Sequence, residues 1–146
     1  MVVKKKPVQK NKKPRQPMAY PSDEMLRWSV LLAQELVSWP QVFVKPMFGM
    51  EAFYRGPHIF CAVPKKRAFF TPNGVIFKIN GASPAQISRM KTDKRVDIDF
   101  GKMQKWYNFD LSSDRDLNGA LDWFGEAYEA AGKQPINKTT KTTRKK

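Results

Sequence analysis

The sequence predicts an α+β fold: a mainly antiparallel sheet with N- and C-terminal helices packed on one face, flanked by disordered basic tails. Three observations carry this. Apolar residues recur at helical spacing near each end of the central segment. Between those two stretches lie short β-branched and aromatic runs punctuated by Gly and Pro. Both chain ends lack acids and are poor in large apolar groups. Helices flanking a run of strands read as α+β rather than as alternating βαβ units.

Ser22 is placed to cap a first helix running to about Ser38, with Asp23 and Glu24 in the first turn, where the helix dipole favours acids. Met25, Trp28, Leu32 and Leu36 form its apolar stripe, and Pro40 ends it. Strands are expected at Val42–Lys45, Phe48–Tyr54, His58–Val63 and Val75–Ile79, with the second and third joined by a turn at Arg55–Pro57. Ser83 followed by Pro84 opens a short helix to about Met90. Arg95–Phe100 alternates, with Val96, Ile98 and Phe100 on one face and Arg95, Asp97 and Asp99 on the solvated one. Trp106–Leu111 is a further aromatic strand. Ser113 and Asp116 resemble a capping box for the last helix, whose stripe is Leu117, Leu121, Phe124 and Tyr128 and whose stop is Gly132.

The 146 residues fit one domain, expected over 21–132 between tails at 1–20 and 133–146. The net charge of +14 is unevenly spread. Residues 1–16 hold seven Lys/Arg and residues 133–146 hold six, with no acid in either. Residues 17–132 carry 14 Lys/Arg against 13 Asp/Glu, so the expected fold is close to neutral. Segments so poor in apolar groups cannot offset the entropy of ordering, hence the expectation of disorder. Lys4, Lys5, Lys6, Lys12, Lys13 and Arg15 at the front, and Lys141, Arg144, Lys145 and Lys146 at the back, are candidate polyanion contacts. Residues 1–17 and 133–146 hold no aromatics, so they are not themselves a stacking platform for single strands. On the fold, Lys65, Lys66 and Arg67 form the densest basic cluster and are the remaining polyanion candidates.

Other constellations argue against chemistry. His58 and Cys61 are the only residues of their kinds, and their odd spacing on a strand points them to opposite faces. Neither completes a zinc set or a nucleophile–base pair. Asp97 and Asp99 share a face that a half-buried strand must solvate anyway. Gly49 interrupts its strand, which suggests a bulge or a close backbone approach. A single cysteine suits a reducing, cytoplasmic setting. No apolar run approaches the roughly 18 residues that span a bilayer, and no secretory leader is evident, so no membrane role is expected.

Met47-Phe48-Gly49, the Phe53-Tyr54 strand end, the turn at Gly56, the Ile59–Val63 strand and the Trp123-containing "ALDWFGEAYEAA" helix resemble the N-terminal domain of the TfoX family of bacterial competence regulators. The resemblance covers roughly residues 22–131. It implies a compact α+β regulatory or interaction domain without established catalytic chemistry. The expected function is a non-catalytic regulatory or adaptor protein that meets a protein partner and attaches non-specifically to nucleic acid through its tails. The alternatives are a pure protein-interaction module with solubilising tails and, third, an enzyme. No cofactor or metal is expected.

Overall fold

A computed structural model describes residues 18–69, 71–98 and 105–134. Among the described residues three helices, α1 (Asp23–Leu36), α2 (Pro84–Thr92) and α3 (Asp116–Gly132), accompany six strands. The strands are β1 (Val42–Met47), β2 (Met50–Arg55), β3 (His58–Pro64), β4 (Gly74–Lys78), β5 (Val96–Asp97) and β6 (Trp106–Asp110). They form one sheet in the order β1-β2-β3-β4-β6-β5, and every pairing is antiparallel. The fold is α+β, as the sequence predicts.

Local signals account for the first two helices. The Ser22 hydroxyl accepts from the Met25 N–H at 3.0 Å, and α1 buries Met25, Trp28, Leu32 and Leu36. Ser83 and Gln86 form a full capping box at α2, with Pro84 opening the helix. The third helix is capped differently from the expectation. It begins at Asp116, and the Ser113 hydroxyl makes no cap. Instead the Asp116 carboxylate accepts from the backbone N–H groups of Ser112 and Ser113, at 2.7 and 3.2 Å. Gly132 is not a left-handed stop either. Its missing side chain leaves room for the Arg55 guanidinium.

Both helices at the ends of the fold pack on one face of the sheet. Trp28, Leu32, Leu36, Phe53, Phe60, Cys61, Val75, Phe77, Phe109, Trp123 and Phe124 share that core. Full burial of each phenylalanine there contributes roughly 2–3 kcal/mol. The other face has a smaller core of Met50, Ala52, Ala62 and Ile76, flanked by Met18, Met47, Tyr54, Ile59, Phe69 and Trp106. Trp106 and Tyr107 therefore point to opposite faces, as neighbours on a strand must.

Several expected boundaries shift. The strand expected over Phe48–Tyr54 begins at Met50, because Phe48 and Gly49 form the turn between β1 and β2. The first tail does not reach residue 20: Ala19 bridges Ala68 through backbone bonds of 2.9 and 2.8 Å, and Met18 packs on the sheet. At the other end Lys133 and Gln134 close α3 through bonds to Ala130 and Ala131. The tail candidates at Lys4–Arg15 and Lys141–Lys146, together with Phe70, Asp99 and Phe100, lie outside the described residues.

Arg95 does not sit on the solvated face with Asp97. Its guanidinium grips both Asp93 oxygens, at 3.0 and 3.1 Å, and donates to Asp116 at 2.9 Å. It also lies 4.8 Å from the Phe109 ring centre, in space that a side chain at Gly119 would occupy. One arginine thus joins the loop before β5 to the start of α3. Burial opposes ionisation of Asp93 and Asp116. Hydrogen bonds from Arg95, and at Asp116 also from the Ser112 and Ser113 backbone, outweigh it and hold both carboxyls below the usual range.

A carboxyl whose pKa is depressed by folding adds stability above its unfolded value, and that stability is lost as pH falls through the folded value. Urea midpoints should therefore be level near neutrality and drop below about pH 4. Asp116→Asn should cost about 1–3 kcal/mol at pH 7 and make the acid-side decline shallower. An unchanged acid limb in that variant would show that Asp116 is not a source of the decline.

Candidate functional site

The basic loop Lys65–Arg67 follows β3 and meets the β1–β2 turn. Phe48 and Gly49 both have positive φ, 51° and 82°, as the two central residues of a type I′ turn require. The turn aims the Gly49 carbonyl at the loop. That oxygen accepts from the N–H groups of Lys65, Lys66 and Arg67, at 3.3, 2.7 and 3.0 Å. A side chain at Gly49 would come within 2.9 Å of Arg67 Cγ and 3.3 Å of the Arg67 nitrogen. Gly49 is therefore no bulge. It is a turn residue at a close backbone approach.

Three successive N–H groups facing one point would otherwise form an anion-binding nest. Here the nest is filled from within the chain, so any anion must be met by the side chains. Lys65 and Lys66 are exposed, and Lys65 Nζ lies 3.6 Å from Glu51. Such an exposed pair is worth little and leaves the ammonium available. The Arg67 stem runs over Gly49, and its guanidinium carbon lies 4.0 Å from the centre of the Tyr20 ring.

Two large aromatics in this corner face solvent: Tyr20 at 69% and Phe48 at 72% of full exposure. Sequence reasoning missed both, having placed Phe48 in a strand and Tyr20 in the tail. The corner extends along β1. Phe43 pairs with Tyr54 and Lys45 with Ala52, on the face that carries no helix. Phe43 is exposed, and Lys45 Nζ lies 5.2 Å from the Tyr54 ring centre. Aromatic and basic side chains thus occur both at the turn, with Tyr20, Arg67 and Phe48, and along β1, with Lys45 and Phe43. Met18 and Ala19 are held on this side of the sheet, and the seven cations of residues 1–16 precede them in the sequence.

The remaining motif residues are structural. Gly56 has a φ of 59° at the first central position of the β2–β3 turn, with Pro57 at the second, a type II′ arrangement. Arg55, at the far end of β3 from the basic loop, stacks 4.1 Å from the Tyr128 ring centre and donates to the Tyr128 carbonyl. Trp123 is buried, stacks on Phe77, and points its indole N–H at Asp93. Met47 pairs with Met50 across the first turn.

The alternation argument for His58 and Cys61 needs correction. Phe53 pairs with Cys61 but Tyr54 pairs with Ile59, so Phe60 is an inserted bulge residue. The inserted residue changes the parity of the strand, and odd spacing no longer separates the two side chains. Burial separates them: Cys61 is fully buried and His58 is partly exposed at the strand end. Burial also pushes the Cys61 thiol well up. Among the described residues no three His, Cys, Asp or Glu side chains come together as a metal site. The cleft between α2, the β5 loop and α3 is lined by Arg89, Asp93, Arg95, Trp123 and Glu126. Arg89, Asp93, Arg95 and Glu126 are paired through the Arg95 network and the Arg89–Glu126 bridge, and Lys94 and Asp122 complete the charged lining. No helix among the described residues is long and apolar enough to cross a membrane.

No family model, curated protein or solved structure matches this chain.

Gly49→Ala should destabilise the fold by about 1–2 kcal/mol, the cost of a left-handed alanine. A shift in urea midpoint without a change in slope would be the expected signature. Cys61 should react with a thiol reagent only as fast as the chain opens. Fast stoichiometric labelling of the native protein would contradict its burial.

Proposed function

We propose that this is a non-catalytic, cytoplasmic regulatory or adaptor protein that holds nucleic acid electrostatically. Its basic tails act together with Lys65, Lys66 and Arg67. The observation that carries this reading is the Ala19–Ala68 bridge, which ties the chain just after the basic N-terminal stretch to the basic loop. In sequence the seven Lys/Arg of residues 1–16 precede Ala19, which bridges Ala68 beside a loop whose three side chains are the only run of three consecutive basic residues within 17–132. The filled nest supports non-specific attachment, since phosphate is met by flexible side chains rather than by fixed backbone donors. The resemblance to the TfoX N-terminal domain is part of the same proposal.

A second reading, a protein-interaction module, is favoured by the outer side of α1. Leu26, Val30, Leu31 and Val37 are exposed there, away from the buried stripe. The two readings are compatible: one surface meets protein and the other meets polyanion.

The test compares the full chain with a form lacking residues 1–16 and 135–146, cuts that spare the Ala19–Ala68 bridge and the end of α3. Neutralising about six phosphates gives a log–log slope of affinity against salt of about −5. The trimmed form should lose most of its binding to a DNA duplex at low salt. Equal binding by both forms, or a flat salt response, would refute electrostatic attachment through the tails.

A further inference from the structure

We infer that the corner formed by Tyr20, Phe48 and Arg67, continued by Lys45 and Phe43, is a stacking platform for single-stranded nucleic acid. This rests on the nucleic-acid reading above and names the form of ligand that the surface selects.

The strongest observation is Phe48 itself. A type I′ turn favours Asn, Asp or Gly at its first central position, because φ is positive there and a bulky side chain is strained. Phe48 occupies that position and is also among the most exposed large apolar side chains of the described residues. Fold stability and solubility both argue for a small polar residue. Strain combined with exposure of a large ring points to something the ring does outside the fold. Tyr20 repeats the exposure without the strain, with the Arg67 guanidinium beside its ring.

The chemistry around these rings selects the ligand. A ring beside a cation suits a base beside a phosphate, the pattern by which single strands are held without sequence preference. Arg67 bridges the Phe48–Gly49 turn and Tyr20, Lys66 is exposed next to it in sequence, and Lys45 stands beside the Tyr54 ring on the same sheet face. A duplex keeps its bases stacked inside and offers these rings only phosphates and sugars. It can be held by the tails but gains nothing from Phe48. A single strand gains from both, so the platform confers preference for single strands while the tails supply affinity for either form.

The test uses the full chain and fluorescence anisotropy, with a labelled oligo-thymidine and a labelled duplex of equal length. The informative variant is Phe48→Asn, which relieves the turn and so keeps or raises the melting temperature. Tyr20→Ala is a second, independent variant. Each should weaken oligo-thymidine binding about tenfold, in keeping with the loss of one stacked base, and leave duplex binding unchanged. Equal losses for both ligands, or none for either, would overturn the platform while leaving tail attachment standing. Absence of wild-type binding to both ligands would overturn the electrostatic reading itself and this inference with it. Phe48-dependent capture by anionic phospholipid vesicles, without Phe48-dependent oligonucleotide binding, would assign the corner to a membrane surface and overturn the proposal.

Discussion

Three backbone N–H groups converge on the Gly49 carbonyl, and this one acceptor organises the basic corner of the molecule. The β1–β2 turn and the loop after β3 are far apart in sequence and would otherwise be independent surface segments. Tied through Gly49, they become one unit, with Phe48 projecting from one part and Lys65–Arg67 from the other. Satisfying those donors also decides how the loop can treat an anion. A nest with an empty centre would favour one well-placed phosphate or carboxylate. A nest filled by a carbonyl leaves only side chains, which adapt to a polymer and discriminate little along it.

The two faces of the sheet impose the next constraint. All the large helix-facing rings lie on one side, under α1 and α3. The opposite side has a floor of Met50, Ala52, Ala62 and Ile76, with small side chains at its centre. Such a floor closes without a helix, needing only Met18, Phe69, Trp106 and their neighbours around it. The chain just before α1 must therefore cross to that side, where the Ala19–Ala68 bridge holds it. On the proposed reading this crossing matters for function, because the residues that follow the N-terminal cations in sequence are held on the face whose edge strand carries Phe43 and Lys45.

What the sequence disclosed and what it hid follow from the range of each interaction. The α1 and α2 caps are local, so Ser22 and the Ser83–Pro84 start were legible, as were the buried stripe of α1 and the turn at Gly56, while the Gln86 half of the α2 capping box was not read. The turn at Phe48–Gly49 was hidden because phenylalanine is a poor type I′ residue, and an apolar run reads as strand. The bulge at Phe60 was hidden because alternation assumes constant parity. Arg95 was misplaced because its partners come from both sides of β6 in sequence: Asp93 two residues away, and Asp116 at the start of α3. The Lys65–Arg67 loop was visible as a charge run. The exposed rings beside it were not, since exposure is decided by packing and not by residue type.

The near-neutral charge of the central segment conceals a division of labour. Around α3 the charges face one another: Arg95 with Asp93 and Asp116, and Arg89 with Glu126. These groups are partly shielded and cross-linked by hydrogen bonds, so their charge is consumed in holding α2, the β5 loop and α3 together. At the Gly49 corner the order is reversed. The backbone is satisfied internally, while the cationic heads and two rings are left to solvent. A net charge near +1 can therefore coexist with a distinctly basic corner, because the balancing acids are committed elsewhere. Only Glu51 approaches the Lys65–Arg67 cations within ion-pair distance among the described residues. On the proposed reading the fold needs no basic face of its own. It needs one corner where acids are sparse, the backbone is locked and the tail arrives.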